Sequence, residues 1–146
     1  MTTYVIDASV LLGQFVQETY TPNVLALFEQ VRRDTDQLYL PEFGRLECVN
    51  VLWKQVRFQG MRQVQAERAI QDLRALPLRL VMVSDLYQNA FQIGLKHQLA
   101  VYDSLYIALA YQLGCPLLTV DQKQMKAAQV EGVSIKLITD FVWRSN

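Results

Sequence analysis

The sequence has little with which to bind soft metals or to cross-link itself. Among 146 residues there is one histidine, His97, and two cysteines, Cys48 and Cys115. Zinc centres draw on clusters of His and Cys, and none can be assembled from so few. Both cysteines lie in apolar, helix-like segments and read as reduced packing residues of a cytoplasmic protein, not as a disulfide pair. Net charge is also lacking: 14 Lys and Arg balance 14 Asp and Glu. A protein that holds nucleic acid mainly by charge is usually basic. Non-specific binding should therefore be weak, although an acidic centre holding cations can sit between basic walls. No apolar run approaches the roughly 20 residues that span a bilayer. The start, MTTYVIDASV, has no basic segment ahead of an apolar core, so no secretory signal is expected. There is no repeat, low-complexity tract or linker, and residues 1–146 are expected to form one domain.

The hydrophobic fraction of 51% is that of an ordinary globular protein. It is arranged as short β-branched runs alternating with longer helical patterns. Tyr4-Val5-Ile6 reads as a buried strand ending on Asp7. Thr21-Pro22 resembles a helix cap with proline in the first turn, followed by the apolar stripe Val24, Leu25, Leu27, Phe28 and Val31. Leu38-Tyr39-Leu40 is a second strand, stopped by Pro41. From Glu42 to Phe58, Leu46, Val49, Leu52, Trp53 and Val56 recur at helical spacing, and Gly60 ends the run. A helix over 62–76 stops at Pro77. Residues 80–83 read as a strand, with Ser84 capping a helix that runs to about Gln98. Asp103 opens a helix that ends before Gly114. Residues 116–120 and 134–138 read as strands, with a short helix over 121–128 between them. Strands alternating with helices predict an α/β fold, a three-layer α/β/α sandwich around a mainly parallel sheet.

In such sheets ligands gather at the carboxyl ends of the strands. Asp7 and Asp121 each follow a strand, so both should project from one edge. Asp103 starts a helix, where exposed N–H groups favour a carboxylate. Glu47 shares a helical face with Asn50 in an otherwise apolar helix. Taken singly, each acid has a plainer explanation: Asp7 as a loop residue, Asp103 and Asp121 as helix caps, Glu47 as solvated charge. Brought together, their mutual repulsion calls for a hard divalent cation. Oxygen ligands select Mg²⁺ or Mn²⁺, and such ions suit phosphodiester hydrolysis. Ser9 and Thr119, each two residues from one of the acids, could orient a carboxylate or a water.

At these residues the sequence resembles the PIN-domain family and, within it, the VapC-type toxins of bacterial toxin–antitoxin pairs. The matching segments are residues 5–12, Pro41 through Leu52, Tyr102-Asp103-Ser104-Leu105-Tyr106-Ile107-Ala108-Leu109-Ala110, and Leu117-Leu118-Thr119-Val120-Asp121. The block around Asp103 is the most specific. The resemblance implies an Mg²⁺- or Mn²⁺-dependent endoribonuclease in which water activated by the cation attacks RNA in line, leaving a 5′-phosphate and a 3′-hydroxyl. It also implies a homodimer, a cognate antitoxin and no membrane. Asp7, Glu47, Asp103 and Asp121 look like the catalytic, metal-holding acids, with Asp121 on a second ion or outside the direct ligands, and Ser9, Asn50 and Thr119 look like supporting residues. Glu42 lies near the start of the same helix as Glu47, but Asn50 and Leu52 follow Glu47 at the family spacing. Where an alanine often precedes the last aspartate, this chain has Val120.

Arg45, Lys54 and Arg57 lie on the Glu47 helix and could meet RNA phosphates, although solvated charge is the commoner role for such residues. His97 has no family position that supports a general base. Trp53, Tyr102, Tyr106 and Trp143 could stack on bases, but at these spacings are more often core or interface. A haloacid-dehalogenase-type phosphatase would need a second aspartate where Ser9 stands, and a receiver domain would need an acid beside Asp7. The alternative from another class is a catalytically silent PIN-like scaffold that binds RNA or protein.

Overall fold

The computed structural model describes residues 2–34 and 36–143. Five strands form one sheet: β1 (Thr3–Ile6), β2 (Gln37–Pro41), β3 (Leu78–Val81), β4 (Leu117–Leu118) and β5 (Ile135–Lys136). All pairings are parallel, in the order β3-β2-β1-β4-β5. The chain steps from β1 outward to β3, then crosses to the other side of β1 for β4 and β5. Because crossovers between parallel strands are right-handed, this reversal puts the connecting helices on opposite faces. The result is the three-layer arrangement expected from the alternation of patterns. The reversal also opens a crevice between the ends of β1 and β4.

The helices are α1 (Ala8–Leu12), α2 (Thr21–Asp34), α3 (Gly44–Phe58), α4 (Gln63–Ala75), α5 (Tyr87–His97), α6 (Val101–Leu113) and α7 (Gln122–Val130). In α6 every residue from Ser104 to Ala110 is buried. It packs on β1, β2 and β4 and is flanked by α5 and α7, so no face of its middle is left to solvent. Gly114 closes it in the left-handed region (φ 64°), which a Cβ would oppose. The α3–α4 pair has a smaller core of its own, in which Leu52, Ala66 and Ala69 meet Phe15, Val56 and Ile70.

Several local expectations shift. β3 spans Leu78–Val81 instead of residues 80–83, because it pairs residue for residue with β2 from Leu38 to Pro41. Pro41 is the last residue of β2, not a stop beyond it. Ser84 lies in a 3-10 turn (Ser84–Leu86) and makes no capping bond. Thr21 is already helical, and its hydroxyl accepts from the Glu18 N–H at 2.9 Å, outside the helix. Asp103 stands in the first turn of a helix that begins at Val101. β4 and β5 are two residues each, the lengths over which they have partners, and the chain after β5 turns into a 3-10 segment (Ile138–Asp140). The apolar stripe of α3 holds only in part: Leu52 faces inward as expected, with Cys48, but Leu46 and Trp53 are exposed. In α2, Ala26 replaces Leu25 on the buried side. Both cysteines are free thiols.

The start of α3 is set by a close approach. A Cβ on Gly44 would collide with Leu40 Cδ1 and stand 3.1 Å from the Tyr106 hydroxyl. Leu40 and Tyr106 are both fully buried, so neither has free space to move into. Gly44→Ala is therefore expected to cost about 1–3 kcal/mol by overpacking, read as a lower urea midpoint at unchanged m-value. An unchanged midpoint would mean that the helix start can shift at no cost.

Candidate active site

Asp7 follows β1 and caps α1. Its Oδ2 accepts the Ser9 N–H at 3.3 Å and the Ser9 hydroxyl. The Thr119 hydroxyl, on the segment after β4, donates to the same oxygen at 3.3 Å. Thr119 is fully buried, and its oxygen accepts the Asp121 N–H at 3.1 Å. One hydroxyl thus ties the end of β1 to the turn that carries Asp121. Asp121 in turn caps α7, its Oδ1 accepting the Gln124 N–H at 3.1 Å.

Glu47 lies in the first turn of α3 and reaches α6, where the Tyr106 hydroxyl donates to its Oε1 at 3.0 Å. Asp103 is three residues before Tyr106, so both occupy one side of α6. Burial pushes the Asp7 carboxyl up; its bonds to Ser9 and Thr119 oppose this, and the charge of Asp103 adds to it. Glu47 is raised to about 7, first by burial and then by Asp7 and Asp103, against the Tyr106 hydrogen bond. Asp103 is raised by burial and by Asp121, while Lys123 pulls it down. These mutual effects place all four predicted acids in one electrostatic neighbourhood. Among the described residues, no three His, Cys, Asp or Glu side chains converge tightly enough to grip an ion by themselves.

Of the supporting residues, Ser9 and Thr119 bond directly to Asp7. Asn50 is exposed, and no described hydrogen bond joins it to the acids. Glu42 is exposed at the end of β2 and exerts no described effect on Asp7, Glu47 or Asp103. Arg45 turns toward the Arg74 carbonyl on α4 (3.5 Å). Lys54 and Arg57 are exposed, with the Arg57 guanidinium 5.2 Å from the centre of the Phe58 ring. His97 pairs with Glu131, the residue just after α7, at 2.7 Å, joined there by Lys96 at 3.0 Å. Of the four aromatic residues, Tyr106 is buried, whereas Trp53, Tyr102 and Trp143 are exposed.

Three residues around the acids escape a sequence-only reading. Tyr106 looks like core, although its place three after Asp103 puts it on the same face. Gln124 is buried, and its Nε2 donates to the Asp103 carbonyl at 3.0 Å. The Asp121-x-x-Gln124 spacing of a capping box points instead to the Asp121 N–H, which Thr119 takes. Lys123 Nζ donates to the Gln98 carbonyl at 2.6 Å and is the cation that acts on Asp103.

A family model described as the PIN domain matches residues 4–130. The chain belongs to the PIN domain family. Ribonuclease VapC3 of Pyrobaculum aerophilum is 29% identical over 121 residues, covering 82% of this PIN chain and 89% of that protein. Ribonuclease VapC9 of Mycobacterium tuberculosis is 24% identical over 127 residues, 87% of this chain and 92% of the relative. Among solved structures, PAE2754 from Pyrobaculum aerophilum superposes with a TM-score of 0.70 at 18% identity, covering 95% of this chain and 91% of its own. VapBC2 from Rickettsia felis, solved with a promoter DNA fragment, gives a TM-score of 0.65 at 12% identity, over 93% and 98%. These two likenesses carry the PIN fold.

Two consequences are measurable. Glu47 has a raised folded-state pKa, so the stability contributed by its neutral form is present below about 4.5 and lost as pH rises through about 7. Asp7 and Asp103 shift in the same direction. With a chelator present, the urea midpoint should fall from about pH 5 to about pH 8. Glu47→Gln should flatten part of that fall, and an equally steep fall in this variant would remove Glu47 as a source. Thr119→Val keeps the shape but leaves the Asp121 N–H without its partner and removes a donor from Asp7. It is expected to cost about 1–3 kcal/mol by the same measurement.

Proposed function

We propose that this chain is a divalent-metal-dependent endoribonuclease and the toxin of a type II toxin–antitoxin pair, working as one PIN domain over residues 1–146. The observation that carries the reading is the juxtaposition of Asp7, Glu47 and Asp103. They come from three separate elements, and burial disfavours the charged form of each, helped at Asp7 by Asp103, at Glu47 by Asp7 and Asp103, and at Asp103 by Asp121. Such a cluster is costly unless a cation compensates it. The ribonuclease names of the sequence relatives support the substrate class.

The donors are hard oxygens, which suit Mg²⁺ or Mn²⁺. Asp7 uses Oδ2 for its protein contacts and Glu47 uses Oε1, so each has a second oxygen to offer. Mg²⁺ commonly takes one or two carboxylates and keeps waters in its remaining positions, which agrees with acids that do not close on one point. A bound cation supplies charge neutralisation at the phosphate and makes water a competent nucleophile near neutral pH. Ser9 and Thr119 hold Asp7 in one orientation. Asp103 and Glu47 complete the acidic wall, and Asp121 stands at its outer edge, on a second ion or as support for the others. The partners that follow are an RNA substrate, a second copy of the chain and an antitoxin; one of the structural relatives is VapBC2, bound to promoter DNA.

Pure protein incubated with mixed RNAs should cut them with Mg²⁺ or Mn²⁺ and leave them intact with EDTA. Asp7→Asn should lower cleavage by at least about a hundredfold and abolish growth arrest on induction. A protein that folds yet cuts no RNA with either metal, and whose induction affects growth no differently from Asp7→Asn, would instead be a silent binding module.

A further inference from the structure

We propose that Tyr106 is a positioning residue: its hydroxyl fixes Oε1 of Glu47 and so reserves Oε2 for a divalent cation. The inference rests on the nuclease reading and extends it to a residue outside the acidic set.

Tyr106 is completely buried. Its ring stands edge-on to Phe43, with centroids 5.8 Å apart at 79°, and its hydroxyl lies 3.1 Å from where a Gly44 Cβ would be. Phenylalanine would fill the same ring volume without burying a hydroxyl that needs a partner. The partner it has is Glu47, at 3.0 Å. A glutamate carboxylate swings on three side-chain bonds, so its place on α3 does not by itself orient the group. Asp7 and Asp121 show the same division of labour. Asp7 takes all of its protein donors on Oδ2, and Asp121 takes the Gln124 N–H on Oδ1. In each case no described donor bonds to the second oxygen. Holding one oxygen of a ligand in place lowers the ordering cost when the other meets a metal, and loss of such a support commonly weakens metal binding by about 10–100-fold.

The test is Mn²⁺ affinity, read from the free-ion EPR signal during titration of wild type, Tyr106→Phe, Glu47→Gln and the double variant. Tyr106→Phe is expected to bind Mn²⁺ about 10–100-fold more weakly while still unfolding cooperatively in urea. In the Glu47→Gln background the same substitution should change affinity by less than about twofold, because the two residues act as one unit. Tyr106→His, which retains a ring-borne donor, should recover part of the loss. With RNA, kcat should fall and KM stay unchanged. Wild-type affinity in Tyr106→Phe, or effects of the two substitutions that simply multiply, overturns the inference and leaves the nuclease reading standing. A wild-type protein that binds no Mn²⁺ overturns both.

Discussion

Negative charge held out of water at one sheet edge is the constraint around which this molecule is arranged. Asp7 is 6% exposed; Asp103 acts on it, and both act on Glu47. A folded chain meets such a demand by giving its buried carboxylates fixed donors and by keeping the acids on elements that cannot drift apart. Both devices are present. Thr119 bonds to Asp7 while receiving the backbone of Asp121, and Tyr106 bonds to Glu47 from the helix that also carries Asp103. The rigidity comes from the apolar middle of α6, which lies on the three central strands.

The reversal of strand order at β1 gives these contacts their place. Helices leaving β1 and β4 turn to opposite faces, so the strand ends between them stay uncovered by either. α3 then starts close enough to α6 for a glutamate to reach it, because its first residue is glycine. A side chain there would press on Leu40 and on the Tyr106 hydroxyl that holds Glu47. Packing and chemistry are therefore not separable at Gly44.

Much of this was readable from residue order. Asp7 and Asp121 stood out because an acid directly after a buried strand has few other places to point. Asp103 and Glu47 were found through the blocks around them, although Asp103 lies within its helix, not at the start. The misreadings have a common cause. Leu46 and Trp53 fit helical spacing as well as Leu52 does, but spacing counts residue types and cannot tell which face has a partner; only Leu52 of the three is buried. β3 was displaced because its ends are set by pairing with β2, which lies outside its own sequence. The Tyr106–Glu47 bond joins residues 59 apart, and no local pattern carries that information.

The central strand of the sheet is the first to be synthesised, and its neighbour β4 comes more than a hundred residues later: Thr119 is 112 positions beyond Asp7. Pairing across such a separation forms late, since a long loop must close before the contact is rewarded. Until then Asp7 has Ser9 beside it but neither the Thr119 hydroxyl nor Asp103 of α6. The acidic edge is thus completed only when nearly the whole domain has left the ribosome and folded. Sequence separation gives this chain a built-in delay, during which an unfinished copy lacks the assembled acidic edge.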